Sequence, residues 1–499
     1  MDIFNNLILG LSVASASMNL LYCLFGVLIG TLVGVLPGIG VVATVAMLLP
    51  LTFKLTPVGG LIMLAGIYYG AQYGCSTTAI LLNIPGESSS VVTCLDGNVM
   101  ARQGRAGPAL ATAALGSFFA GCVATVFIFL FAPFLSEVAL KFGPAEYFSL
   151  MLLGLVAAVV LASASLLKAF AMVFLGLLMG LVGTDVNSGM RRFCFGLSDL
   201  SDGIGFVVVA MGLFGFAEII SSLEYKGKRQ VIPFSLKALI PTRDDLKASW
   251  RPVLRGTGLG SFLGMLPGAG ATISSFGAYS LEKRLAADPS RFGKGAIEGV
   301  AGPESANNAA AQTSFIPLLT LGIPANPVMA LMLGAMIILG ITPGPRVIIE
   351  QRTLFMGVIA SMWFGNLMLV LLNLPLIGIW VRFLTIPYRL LFPAILMFCC
   401  IGVYSINNNP FDVALSAGFG LLGYIFIKLG CEAAPFMLAF ILGPMMEEYL
   451  RRALLLSRGD PAVFFTQPIS LGLLLVAAFL LLLVILPGLR GKRDEALQE

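Results

Sequence analysis

The 499 residues contain no histidine, and only 11% are charged, whereas an ordinary soluble domain carries about 25%. Without imidazole there is no His-based triad, no HExxH zinc site and no imidazole proton relay. The eight cysteines form no CxxC pair, and most lie inside apolar runs, where they read as small buried hydrophobes. No GxxxxGK[ST] loop occurs, which removes the P-loop ATPases. The net charge of +5 sits in basic loops of the kind that flank membrane segments and gives no footprint for nucleic acid. At the N-terminus MDIFNNLILG lacks a basic stretch before its apolar run, so no cleaved signal peptide is expected.

Long uncharged runs fill the space that charge leaves. Residues 3–53, 55–86, 106–136, 256–281, 305–345, 353–381 and 461–489 hold no Asp, Glu, Lys or Arg. A bilayer crossing needs about 20 mostly apolar residues, and several of these runs are long enough for two passes. They are continuous, not alternating, which argues against a β-barrel. The expected fold is an all-α polytopic membrane protein with about 10–14 membrane segments.

Basic residues orient it. The 224–255 stretch carries Lys226, Lys228, Arg229, Lys237, Arg243, Lys247, Arg251 and Arg255, and Lys283, Arg284, Arg291 and Lys294 follow the next apolar run. Arg490, Lys492 and Arg493 follow the last. The positive-inside rule assigns all three stretches, the C-terminus included, to the cytoplasm, and the acidic 184–202 loop to the outside. Residues 256–281 then lie between two cytoplasmic stretches, yet 26 residues are too few for two crossings. Their middle, LGMLPGAGATISS, is interrupted by Pro267, Gly268 and Gly270, and the economical solution is a re-entrant helical hairpin.

The same pattern occurs earlier. GTLVGVLPGIG (30–40) matches GSFLGMLPGAG (260–270) at a constant offset of 230, and ILLNIPGESSS (80–90) can be laid on LLTLGIPANPV (318–328) at 239. Two motifs in the same order, each interrupting an apolar run, indicate an internal duplication. Opposite flanking charge indicates inverted repeats. The chain divides into a first half (1–223, with motifs 30–40 and 80–108), a cytoplasmic linker (224–255), a second half (256–430, with motifs 260–270 and 298–327) and C-terminal membrane segments with a short tail (431–499).

Interrupted helices at corresponding positions of two halves point to a transporter's midplane site, because freed N–H groups attract anions and freed carbonyls hold cations. Four breaks stand out: 37–40, 84–90, 267–270 together with GPESANNAA (302–310), and 322–327. Candidate substrate ligands are Ser88, Ser89, Ser90, Ser305, Asn307 and Asn308, with the backbone at Gly38 and Gly268. Candidate ion ligands lie at Pro37, Gly38, Gly40, Thr44, Pro267, Gly268, Gly270, Thr272 and Ser274, with the carboxyls of Glu87 and Glu304. The serines of 88–90 also suit helix caps, Glu304 suits a cap for a helix starting near Ser305, and the asparagines suit bonds between helices.

Taken together, GTLVGVLPGIG, NIPGESSSVVTCLDGNVMARQGRAGPAL, GSFLGMLPGAG and GKGAIEGVAGPESANNAAAQTSFIPLLTLGIP resemble the large membrane subunit of the tripartite tricarboxylate transporters over nearly the whole length. One departure is Ala325-Asn326 after Ile323-Pro324, where a Pro-Gly-Ser-like turn as in the first half is expected. The resemblance implies ion-gradient-driven uptake, Na⁺- or H⁺-coupled, of a tricarboxylate, dicarboxylate or aromatic carboxylate across a bacterial cytoplasmic membrane. It also implies a small membrane subunit and a periplasmic solute-binding protein as partners, and no cofactor beyond the coupling ion. Lacking a histidine to shuttle protons, the chain favours Na⁺, with Glu87 or Glu304 as the sites that serve H⁺. An anion channel and an intramembrane enzyme are the other readings, the latter without a base for Ser89 or Ser305.

Overall fold

The computed structural model describes residues 3–36, 40–139, 141–161, 165–185, 188–224, 239–266, 270–341, 343–344, 347–384 and 388–485. Almost all of these are helical. A pair of two-residue strands, Gly183–Thr184 and Arg191–Arg192, is the small exception to the expected all-α fold. Among the described residues five helices are long and apolar enough to cross a membrane, and seven further apolar helices of 10–17 residues accompany them. Helices are the expected outcome in lipid, where each backbone polar group needs a partner within its own segment.

The site is positioned by α1 (Ser17–Val35), α2 (Val41–Thr52), α3 (Pro57–Leu82), α4 (Ala106–Ala139), α5 (Arg243–Leu263), α6 (Gly270–Leu285), α7 (Glu298–Thr313), α8 (Pro327–Ile338) and α9 (Arg352–Asn373). The central rod is α3, buried from Gly59 to Leu81, with almost no amphipathic bias in its sequence, as a helix covered on all sides should be. Thr56 caps its start by accepting from the Gly59 N–H, Pro57 occupies the first turn, and Asn83 ends it in the left-handed conformation (φ 57°).

Glycines set two close helix contacts at the site. On α1, Gly26, Gly30 and Gly34 meet the carbonyls of Met63, Ile67 and Ala71 on α3; a Cβ on any of them would lie 2.3–2.4 Å from that oxygen. Gly256 and Gly260 on α5 meet the carbonyls of Gly302 and Ala306 on α7 in the same way, and Gly264, the C-cap of α5, lies against Ala310 and Thr313. The two glycine triplets are separated by 230 residues (Gly30 to Gly260) and their partners by 239 (Ile67 to Ala306), the offsets of the two sequence motifs. Without a hydrophobic driving force inside lipid, such small-residue contacts supply the attraction between helices.

Both expected hairpins have helical arms. Helix α1 ends at Val35 and α2 begins at Val41, while α5 ends at Leu263 and α6 begins at Gly270. The elbow residues Pro37, Gly38, Pro267 and Gly268 lie outside the described residues. Two expectations need correction. Residues 243–255, assigned to the polar linker, form the first turns of α5, because Thr242 and Asp245 cap each other's backbone N–H groups and Asp244 favours the helix N-terminus. GPESANNAA is no break: α7 runs unbroken from Glu298 to Thr313, with Pro303 costing one hydrogen bond in its second turn. Glu304 and Ser305 are therefore mid-helix residues and not caps.

Candidate functional site

The first loop motif is held by a buried amide. Asn83 and Gly322 end their helices in the same left-handed conformation (φ 57° and 70°), and Ile-Pro follows each. Glu87 and Asn326 then cap the next turns with extended backbones (φ −149° and −158°). The cap of the first loop is Glu87, one residue before the serines, and it forms a reciprocal capping box with Ser90. Each cap also reaches a helix. Glu87 accepts from the Gln72 side-chain amide, whose oxygen accepts from Asn307 Nδ2 at 3.0 Å and from Ser89 Oγ at 3.5 Å. Asn326 Nδ2 donates to the Tyr68 hydroxyl at 2.9 Å. Tyr68 and Asn307 are again 239 residues apart, as are Glu87 and Asn326. Each loop is thereby tied to positions that correspond in the two halves of the sequence.

Further contacts join the motifs. Ser88 Oγ and Thr272 Oγ1, the latter in the first turn of α6, are 2.8 Å apart. Thr44 and Ser274 sit 230 residues apart, and each hydroxyl donates back to the carbonyl four residues earlier, at Gly40 and Gly270. Ser90 bonds within its own turn through Glu87 O. Glu304, fully buried on α7, accepts from Ser76 Oγ at 2.6 Å and Thr93 Oγ1 at 2.5 Å. Ser305 and Asn308 stand apart. Ser305 bonds the Ala301 carbonyl and packs on Gly116 of α4, and Asn308 bonds Ser117 Oγ at 2.7 Å and Glu304 O at 3.0 Å.

Among the described residues no salt bridge involves Glu87 or Glu304. Asn307 keeps one buried oxygen, Oδ1, without a partner among them. The group offers hydroxyls, amides and two carboxyls, but no metal cluster: the described residues hold no group of three or more His, Cys, Asp or Glu. A third carboxylate, Asp96, fastens the approach to α7 by accepting from the Gly295 and Ala296 N–H groups at 2.8 Å and from Tyr279 at 2.9 Å. Sequence reading missed Gln72, Tyr68, Asn326, Ser76 and Thr93. The signal for Gln72 was an amide inside the uncharged 55–86 run, and for Tyr68 its correspondence with Asn307.

The family profile described as "Tripartite tricarboxylate transporter TctA family" matches residues 20–438. The chain belongs to the TctA family. A relative from Agrobacterium vitis, named "Uncharacterized 52.8 kDa protein in TAR-I ttuC' 3'region", is 59% identical over 499 residues, covering 100% of this chain and 99% of its own length. A second from the same organism, "Uncharacterized protein in TAR-II ttuC' 3'region", is 63% identical over 240 residues, 48% of this chain and 99% of its own. No solved structure matches. TctA membership, together with the apolar helices, makes the chain a multi-pass membrane protein and the large subunit of a tripartite transporter.

The Ser88–Thr272 contact makes a first test of the candidate site. A neutral hydrogen bond contributes about 1 kcal/mol, so Ser88→Ala and Thr272→Val should each raise the apparent KM about fivefold. The double variant should match the larger single one, as expected for partners. Additive losses in uptake assays would show that the two hydroxyls act apart.

Proposed function

We propose that the chain takes up a carboxylate by alternating access, driven by a Na⁺ or H⁺ gradient, across a bacterial cytoplasmic membrane with its C-terminus inside. It works with a small membrane subunit and a periplasmic solute-binding protein. The anion, a tricarboxylate, dicarboxylate or aromatic carboxylate, is held between the 84–90 loop and the start of α6. Ser88, Ser89, Thr272 and Asn307 provide the donors, with N–H groups at the elbows. The observation that carries this reading is the link Glu87–Gln72–Asn307, in which the buried Gln72 and Asn307 reach the half-buried Glu87 and tie a helix interruption of one half to a helix of the other. The shared offsets of 230 and 239 in motifs, glycine contacts and caps support a duplicated unit as its origin, and the opposite charge flanking the two LPGxG motifs is the ground for reading it as inverted.

Coupling follows from charge. An anion about 4 Å from an ionised carboxylate meets a repulsion of about 4 kcal/mol at an effective dielectric near 20, equivalent to about a thousandfold in affinity. Neutralising Glu87 or Glu304 with a cation removes that penalty, so ion and anion load together. Carbonyls at the elbows offer further cation ligands.

Counterflow of labelled carboxylate in proteoliposomes tests the reading against a channel or an enzyme. A carrier accumulates label against its gradient when preloaded with unlabelled substrate; a channel equilibrates and an enzyme converts it. The double substitution Pro267→Ala with Gly268→Ala should abolish that counterflow while membrane insertion persists. Normal counterflow would remove the second elbow from the site.

A further inference from the structure

Glu304 poses a separate question. It is fully buried, and its two oxygens take hydroxyl hydrogen bonds from different segments, Ser76 on α3 and Thr93 after the first loop. A carboxylate in that setting, without a cationic partner, is costly unless it is neutralised. Ser76 has a second acceptor, the Gln72 carbonyl, at 3.1 Å. Its single hydrogen therefore has two destinations. With Glu304 ionised it points to Oε2; with Glu304 protonated the acid donates to Ser76 Oγ and the serine turns to Gln72 O.

Beside Ser76 lies a void of about 10 Å³, enough for one water, lined also by Tyr73, Thr77, Ser117 and Asn373. Two of these residues, each 4% exposed, carry side-chain atoms without partners among the described residues: the Tyr73 hydroxyl and Asn373 Oδ1. One is an O–H that needs an acceptor, the other an oxygen that needs a donor. A water satisfies both; a metal cation accepts no hydrogen bond and leaves the tyrosine proton stranded.

We propose that this void holds one water and that the water and Ser76 form a proton path ending on Glu304, which carries the coupling proton. In the transfer an excess proton from solvent reaches the water, which donates a proton to Ser76 Oγ as the serine passes its own to Glu304 Oε2; the water and the serine are both restored and the one solvent proton ends on the carboxyl. Tyr73 and Asn373 position the water. The titratable groups that face Glu304 are Tyr73 and Cys75 on α3 and Cys94 after the first loop; behind them, Cys122 on α4 faces Tyr73 and Glu87 faces Cys75. Arg255 and Glu282, on α5 and α6, are bonded to each other. This rests on the transport reading above and narrows its coupling ion to H⁺, in place of the Na⁺ that the lack of histidine favours.

The test uses the purified full chain in proteoliposomes with its partner subunits. For Glu304→Gln, accumulation driven by an inward proton gradient should fall by about tenfold or more, and the remaining exchange should lose its dependence on pH. Tyr73→Phe, which removes only the hydroxyl, should move the midpoint of the pH profile in the native background and have no further effect in Glu304→Gln. Ser76→Ala gives the same reading if the tyrosine variant folds poorly. Proton-driven accumulation that survives Glu304→Gln overturns the proposal, as does uptake that follows a Na⁺ gradient at fixed pH. Counterflow by the native protein that ignores pH removes this inference alone; absence of any counterflow removes the transport reading as well.

Discussion

Gly260→Val is expected to eliminate folded protein, whereas Gly258→Val, two residues away on the same helix, should be tolerated. At position 260 a Cβ would lie 2.2 Å from the Ala306 carbonyl oxygen and 2.8 Å from that residue's Cα. Both atoms are backbone, so relief requires α5 and α7 to separate along their length. Overpacking of this kind costs about 1–3 kcal/mol where side chains yield, and more where they cannot. Set against a total stability of about 5–15 kcal/mol, one valine removes a large share. At position 258 a Cβ would meet nothing within 4 Å. Gly30→Val should reproduce the loss at the α1–α3 contact, where the corresponding distance to Ile67 O is 2.3 Å. Thermal unfolding with size-exclusion chromatography in detergent measures this directly; a native-like melting temperature for Gly260→Val would show that the helices are not in the close contact described.

Gln72→Leu should reduce carboxylate uptake by about a hundredfold or more while the protein still inserts. The fully buried amide spends its N–H on Glu87 and its oxygen on Asn307, so leucine strands a carboxyl and an amide at once. Each buried polar group left unpaired costs about 1–3 kcal/mol. The positioning of the first loop is lost with the bond to Glu87. Asn307→Ala removes one link of the same chain, so its loss should be smaller, and the double variant should be no worse than Gln72→Leu. Strictly additive losses in initial uptake rates would mean that the two amides serve different steps.

Much of this site is legible in the sequence because proline and glycine leave local marks. The helix ends at residues 35 and 263 and the restarts at 41 and 270 fall where the LPGxG motifs predict them. Ser88 and Thr272, singled out on separate motifs, meet directly, and Glu87 and Asn307 meet through one intermediary. What escaped is of another kind. Gln72, Ser76 and Thr93 acquire their roles from partners up to 235 residues away, and no local pattern distinguishes them from other polar residues in an apolar helix. The GPESANNAA segment misled for the opposite reason. Its Gly-Pro pair reads as a break, but α7 is enclosed by neighbouring helices that stabilise it beyond its propensity, with Ser275 Oγ donating to the Pro303 carbonyl at 3.3 Å. Asn326, which looked like a departure from the first loop, performs the same capping as Glu87 with an amide in place of a carboxyl.

Thiol labelling at position 88 is the sharpest probe of where the solute sits. Ser88 is exposed yet within 2.8 Å of Thr272, so a single cysteine introduced there in a cysteine-free background should react with a small polar reagent. Saturating carboxylate under coupling conditions should slow that reaction about tenfold or more relative to the same conditions without carboxylate, and withdrawing the coupling ion, by raising the pH for H⁺ or omitting Na⁺, should abolish that protection. In a variant that still performs counterflow, labelling at an unchanged rate with substrate and ion present would contradict a binding site between the first loop and the second hairpin.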